Sequence, residues 1–170
     1  MEPCVNCMFA SVSGMIVDIV PERVQEGAPD GCILYFTVED DNGSITNFMV
    51  TPSTFVLDFD TLRVGGRCSF WYRLDAPAVL IFPPRYTAVA AAVERNDRMV
   101  DVSFYNEELV NERMTLQLRM DDSVEVYTTN NQTFVGNPAN HALVVSYTTS
   151  TRSIPAQTTP AKVYVLCDMI

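Results

Sequence analysis

"CILYFTVEDDNGSITNFMV", Cys32 to Val50, decides how this chain is read. Leu34, Phe36 and Val38 alternate with Tyr35 and Thr37 ahead of Asp41-Asn42-Gly43, and Phe48 and Val50 share a side behind it. A period of two sends successive side chains to opposite faces of a strand, so the stretch predicts two strands back to back. Asn-Gly supplies the two positive-φ positions that a type I′ turn requires, which makes the link a hairpin.

The alternation continues on both sides of that hairpin. "GMIVDIV" (Gly14–Val20) places Met15, Val17 and Ile19 on one face, and "RCSFWYRL" and "YTAVAAAV" read as two further strands. Between these two lie Pro77, Pro83 and Pro84, which cannot donate to a ladder and mark a loop or edge. One short helix is predicted near Pro52–Leu62, with Thr51 or Ser53 as its cap and Phe55, Phe59 and Leu62 at helical spacing. After the polar linker "VERNDR" (Val93–Arg98) the pattern restarts. Val100, Val102 and Phe104 face one way, and Met114, Leu116, Leu118 and Met120 alternate with Thr115, Gln117 and Arg119. "SVEVYTT", "HALVVSYTT" and "AKVYVLC" follow as strands.

Short echoes link the two halves. Val17-Asp18-Ile19 returns as Val100-Asp101-Val102, Thr54-Phe55-Val56 as Thr133-Phe134-Val135, and Pro84–Val89 lines up with Pro160–Val165. The offsets are 83, 79 and 76 residues, so the second copy shortens twice, around Gly27–Gly31 and between the helix and the last strand. Both are loop-like places where length changes cost no core contact. Duplication is the expectation.

Five strands with a short helix between the third and fourth is an order that resembles the oligonucleotide/oligosaccharide-binding (OB) family. A glycine near strand one, "FTVEDDNGSITNFMV", and "LRVGGRCSFWYRL" after the helix carry that resemblance. It covers about Val12–Val93 well and Met99–Cys167 poorly. It implies an all-β chain of two tandem small five-stranded barrels, residues 12–93 and a degenerate copy at 99–170. Each unit of ~75 residues is marginal alone.

Composition narrows what such a chain can do. With 48% hydrophobic residues among 170 it can bury a core, and no apolar run approaches the ~20 residues of a membrane span. The start, "MEPCVNCMFASVSGM", has no basic n-region and no long apolar run, so a cytoplasmic protein is expected. Five scattered cysteines, Cys4, Cys7, Cys32, Cys68 and Cys167, read as reduced thiols rather than a disulfide framework. The net charge is −10, from 21 acids against 11 bases. A field of that sign repels phosphate backbones and anionic membranes.

Catalytic chemistry finds little to use. His141 is the sole histidine and stands at the start of an apolar strand, no serine lies in a G-x-S-x-G elbow, and no phosphate loop or dinucleotide fingerprint occurs. Asp58-Phe59-Asp60 reads as solvated acids. Cys4-x-x-Cys7 has half the spacing of a zinc site but lacks a second pair. No metal, no cofactor and no enzymatic activity are expected.

The aromatic stretch "SFWYRLDAPAVLIFPPRY" (Ser69–Tyr86) remains. On a strand, Cys68, Phe70, Tyr72 and Leu74 share the core face, and Arg67, Ser69, Trp71 and Arg73 share the other. Tyr35 belongs to the same outer surface, and Arg85 closes the stretch. The resemblance implies that such a face stacks the bases of a single strand, each worth ~1–3 kcal/mol, or holds an oligosaccharide. Against a nucleic acid, the arginines at 23, 63, 67, 73 and 85 are the only bases up to Val93, facing eleven acids. A lone tryptophan near a module boundary fits a protein interface. The expected function is therefore protein–protein binding or self-association through Tyr35, Arg67, Trp71, Arg73 and Arg85, with single-stranded nucleic acid or oligosaccharide as the alternative.

Overall fold

The computed structural model describes residues 4, 6–23, 29–76 and 80–168. It is all-β, with twelve strands and one 3₁₀ turn among the described residues. Two compact units divide the chain: Ala10–Glu94, the first unit, and Arg95–Ile170 together with Met1–Phe9, the second. Pro77 and the start of the Gly27–Gly31 loop fall outside the described residues.

In the first unit, β1 (Phe9–Arg23), β2 (Pro29–Glu39), β3 (Ile45–Val50), β4 (Phe55–Val56), β5 (Arg67–Arg73) and β6 (Arg85–Val93) form one sheet in the order β3-β2-β1-β5-β6-β4. A further parallel pairing joins β3 to β6 through Asn47↔Arg85, Phe48↔Tyr86 and Met49↔Thr87. Pairings β1–β2, β2–β3 and β5–β6 are antiparallel, so the sheet is mixed.

The expected hairpin is present, with Leu34 opposite Val50, Phe36 opposite Phe48 and Val38 opposite Thr46. Its turn differs from the type I′ expectation, because only Gly43 adopts positive φ (80°). Asp40 organises the turn instead. Its Oδ1 accepts the N–H groups of Asn42 and Ser44, both at 2.9 Å, and its carbonyl accepts Gly43 N–H at 3.0 Å. An acid that caps its own turn leaves one residue, not two, to take the left-handed conformation.

Phe36, Val38, Phe48, Cys68 and Phe70 are buried as the alternation requires, and Phe48 stacks on Phe70 at 4.9 Å. On β1 the phase differs from the sequence reading. A bulge between the pairs Ile16↔Val38 and Asp18↔Thr37 inserts Val17 as an extra residue, so Ile16 (0% exposed) and Ile19 reach the core while Met15 and Val17 stay exposed. Gly14, just before it, lies where an added Cβ would come within 2.3 Å of the Glu39 carbonyl oxygen.

The helix expected at Pro52–Leu62 is absent. Phe55 and Val56 pair in parallel with Ala90 and Ala91, and Thr54 Oγ1 donates to the Ala88 carbonyl at 2.8 Å. The following turn, Leu57–Phe59, takes positive φ at Asp58 and Phe59, which no α-helix accommodates. Ladder bonds to β6 outweigh a weak local propensity.

The second unit comprises β7 (Met99–Tyr105), β8 (Leu116–Leu118), β9 (Glu125–Thr128), β10 (His141–Tyr147), β11 (Ala156–Thr158) and β12 (Lys162–Val165). Its main sheet runs β7-β10-β12-β9, antiparallel except for the β12–β9 pair, and β8 pairs in parallel with β11 apart from it. The two units share part of a strand path but differ in how the remaining strands pair. In the first unit the path β1-β5-β6-β3 also ends in a parallel pair, but there β2 bonds to both β1 and β3. The strand at that point of the order, β8, has only three residues and goes to β11 instead.

Its core holds Leu116, Leu118, Leu143, Val145, Val163, Val165 and Tyr105. The β7 residues opposite Leu143 and Val145 are Ser103 and Asp101, so the face toward this core is Asp101-Ser103-Tyr105 rather than Val100-Val102-Phe104. A carboxylate on the core face hides the period from a hydropathy reading. It is satisfied there by Tyr105 Oη, which donates to Asp101 Oδ2 at 2.5 Å, and by Asn111 Nδ2 at 3.2 Å. Burial nonetheless raises the Asp101 pKa, against the lowering effect of those bonds and of Arg113.

Met8 and Phe9 are tied to this unit. Glu112 accepts Met8 N–H with both carboxylate oxygens (3.0 and 2.9 Å), and Arg113 donates to the Phe9 carbonyl at 3.3 Å. Beside them Cys4 and Cys7 form a disulfide, which corrects the expectation of reduced thiols at this pair. Three residues of separation let the two sulfurs meet across a single turn without any larger framework.

Candidate functional site

Near its β5–β6 end the first unit holds a cleft of about 600 Å³. Tyr35 comes from β2, Met49 from the end of β3, and Tyr72 and Arg73 from the end of β5. Leu74 and Ala76 follow from the β5–β6 connection, and Arg85, Tyr86, Thr87 and Val89 from β6. The parallel β3–β6 pairing brings Met49 opposite Thr87 and so joins two of the strands that line the cleft.

Three of the five residues singled out from the sequence, Tyr35, Arg73 and Arg85, meet here. Arg85 lies over the Tyr35 ring, its guanidinium carbon 4.8 Å from the centroid. Tyr35 Oη donates to Glu22 at 3.2 Å. Burial and that acid raise the Tyr35 pKa. Arg73 is chelated by Asp75, with Nε to Oδ1 at 2.8 Å and Nη2 to Oδ2 at 2.6 Å. Tyr72 and Tyr86 stack at 3.8 Å, and burial, helped by neighbouring Tyr86, pushes Tyr72 up to about 12. Tyr35 and Tyr72 are thus neutral near pH 7, and most polar atoms of the cleft already have partners within the unit.

Arg67 and Trp71 do not join this group. Arg67 bridges Glu94 at 3.0 Å and Asp41 at 3.1 Å, at the other end of β5. Trp71 is 7% exposed, which leaves no open ring for a base to stack on. A bulge between Trp71 and Tyr72 also breaks the alternation that would put Trp71 and Arg73 on one face.

No family model matches this chain, and no curated protein or solved structure matches it either.

Met49, Tyr72, Leu74, Ala76, Tyr86, Thr87 and Val89 are the cleft residues that the sequence did not single out. Tyr72 and Leu74 read there as plain core residues, which Tyr72 partly is, packed beside Phe48. The signal that could have found the cleft was aromatic clustering at both ends of the β5–β6 connection, Tyr72 before it and Tyr86 after it. His141 sits at the start of β10, its Nδ1 2.8 Å from the Ala139 carbonyl and its ring edge-on to Phe134. Among the described residues no group of three or more His, Cys, Asp or Glu is placed to hold a metal ion. No helix among them is long and apolar enough to cross a membrane.

Proposed function

We propose that the protein is a non-enzymatic binding module that acts through protein–protein contacts, and that the first-unit cleft is the contact site. One observation carries this reading: the cleft is concave and mainly apolar, and most of its polar side chains already have partners within the unit. A sugar needs several convergent donors and acceptors, and a phosphate backbone needs uncompensated cations. Here Arg73 is neutralised by Asp75, Tyr35 donates to Glu22, the Tyr72 and Tyr86 rings stack on each other, and Arg85 covers a tyrosine ring. Burial of Trp71 weighs further against stacked bases. An interface needs apolar area and an occasional arginine, and the cleft offers both.

We also infer that each unit is a small barrel of OB-like path and that the second is a divergent copy of the first. The β3–β6 pairing, which joins β3 to β6 beyond the linear sheet order, supports the first point, and the shared path β1-β5-β6-β3 and β7-β10-β12-β9 supports the second. An offset of 77 between the last strands, one more than the sequence echo of 76, keeps the core faces in phase. Val126↔Val163 is the counterpart of Phe48↔Tyr86, so the core residues Val163 and Val165 align with Tyr86 and Ala88.

A photo-crosslinking residue at Thr87, exposed on the cleft rim, tests the binding reading in the expressing cell. Protein adducts at Thr87 and none at Ser123 are expected. Saturable shifts of the cleft amides with an oligothymidylate or a chito-oligosaccharide, and no protein adduct, would replace this reading with the other one.

A further inference from the structure

Of all the surface, the most conspicuous unsatisfied feature stands beside the cleft. Leu80 is 97% exposed, Ile81 44% and Phe82 94%. Soluble proteins seldom present three consecutive large apolar side chains to water unless something covers them. These three lie on the β5–β6 connection, whose start (Leu74, Ala76) and far end (Arg85, Tyr86) build the cleft. The tip therefore springs from the cleft's own rim yet does not fill it.

We propose that the occupant of the cleft is the Leu80–Phe82 tip of a second copy of the chain, exchanged reciprocally about a two-fold axis; this rests on the reading of the cleft as a protein contact site. Adjacency makes the exchange symmetric, since one axis passing between tip and cleft satisfies both copies at once. Size agrees. A cleft of about 600 Å³ is in the range that takes a cluster of apolar side chains, and Phe82 meets the stacked Tyr72–Tyr86 pair while its neighbours meet Met49, Leu74 and Val89.

Area agrees as well. One aromatic and two aliphatic side chains lose on the order of 400 Å² of surface when enclosed. The cleft presents about half as much surface as the tip, so each copy buries on the order of 600 Å², which suits a concentration-dependent pair rather than an obligate one. Charge places the contact where repulsion is least. The chain carries −10, but the sequence from Ala76 to Pro84 has no charged residue and the cleft contributes Arg85. Added salt screens the repulsion between two acidic copies and so strengthens the pair, opposite in sign to the salt response of phosphate binding.

Light scattering on size-separated full-length protein, up to about 0.3 mM, reads the outcome directly. The expected mass is twice the 19.0 kDa of one chain, with a dissociation constant that falls as salt is raised. Phe82→Asp removes the tip and Thr87→Arg blocks the cleft; both sites are exposed, and each variant is expected to weaken the pair at least tenfold. Mixing the two variants restores one of the two contacts, because the intact cleft of the first accepts the intact tip of the second. The mixture therefore associates more tightly than either variant alone, which a merely misfolded variant cannot imitate. A monomer across the whole range, or a dimer indifferent to Phe82→Asp, overturns the exchange. A monomer that still gives adducts of other masses at Thr87 overturns only the choice of partner, whereas loss of adducts as well removes the binding reading itself.

Discussion

Gly14→Ala puts the β1–β2 pairing to a direct test. The new methyl would stand 2.3 Å from the Glu39 carbonyl oxygen, 2.8 Å from its carbon and 3.0 Å from the Asp40 Cα. All three are backbone atoms, so no side chain can swing aside. Ordinary contact begins at 3.4 Å, which leaves roughly 1 Å to be made up by moving one strand away from the other. A shift of that size stretches the ladder at Met15↔Glu39 and Ile16↔Val38 beyond bonding distance. Two weakened bonds cost about 1–3 kcal/mol, and overpacking adds about 1–3 kcal/mol. Removing a glycine from the unfolded chain returns about 0.4–1 kcal/mol. The net expectation is a loss of about 2–4 kcal/mol.

Urea unfolding followed by Trp71 fluorescence measures it, because the only tryptophan lies in the first unit and is buried. Gly31→Ala on β2 is the internal control: no atom lies within 4 Å of its added Cβ, so stability should be unchanged or slightly higher. Equal midpoints for the two variants would falsify the close crossing of β1 over Glu39.

Other consequences can be checked on the same protein. Trp71→Ala should act on stability, by about 3–5 kcal/mol, and acrylamide should quench the native tryptophan weakly. Asp101 has a raised pKa through burial, so its contribution to stability is complete below the usual carboxylate range and is lost as pH rises through the raised value. Asp101→Asn keeps an oxygen for Tyr105 and Asn111, and its stability relative to the parent should grow from pH 4 toward pH 8 in thermal melts. A difference that shrinks over that range overturns the assignment. Burial pushes the Cys68 thiol up to about 11, so in the native protein Ellman's reagent should modify exposed Cys167 quickly and Cys68 only after unfolding.

What could be read from the residues follows physical lines. Between Leu34 and Val50 the alternation is unbroken and one face is buried, so the pattern and the pairing agree. The reading slipped wherever an inserted residue or a polar core position interrupts the period of two. Val17 shifts the phase of β1, and Asp101 masks the inward face of β7, because its partners Tyr105 and Asn111 lie four and ten residues further along. At Pro52–Leu62 the helical spacing was real, but bonds to β6, distant in sequence, decided the conformation. The cleft was half legible for a related reason. Tyr35, Arg73 and Arg85 looked like surface residues and are at the site, whereas Trp71 shared their strand pattern and yet is covered.

Attachment of Met8 and Phe9 to Glu112 and Arg113 makes the second unit discontinuous. During synthesis those two residues emerge early but must wait for more than a hundred others before their partners exist, while the first unit has all its strands far sooner. A cut placed between Glu94 and Arg95 therefore cannot yield two whole pieces, since the later fragment leaves part of itself behind at the opposite terminus.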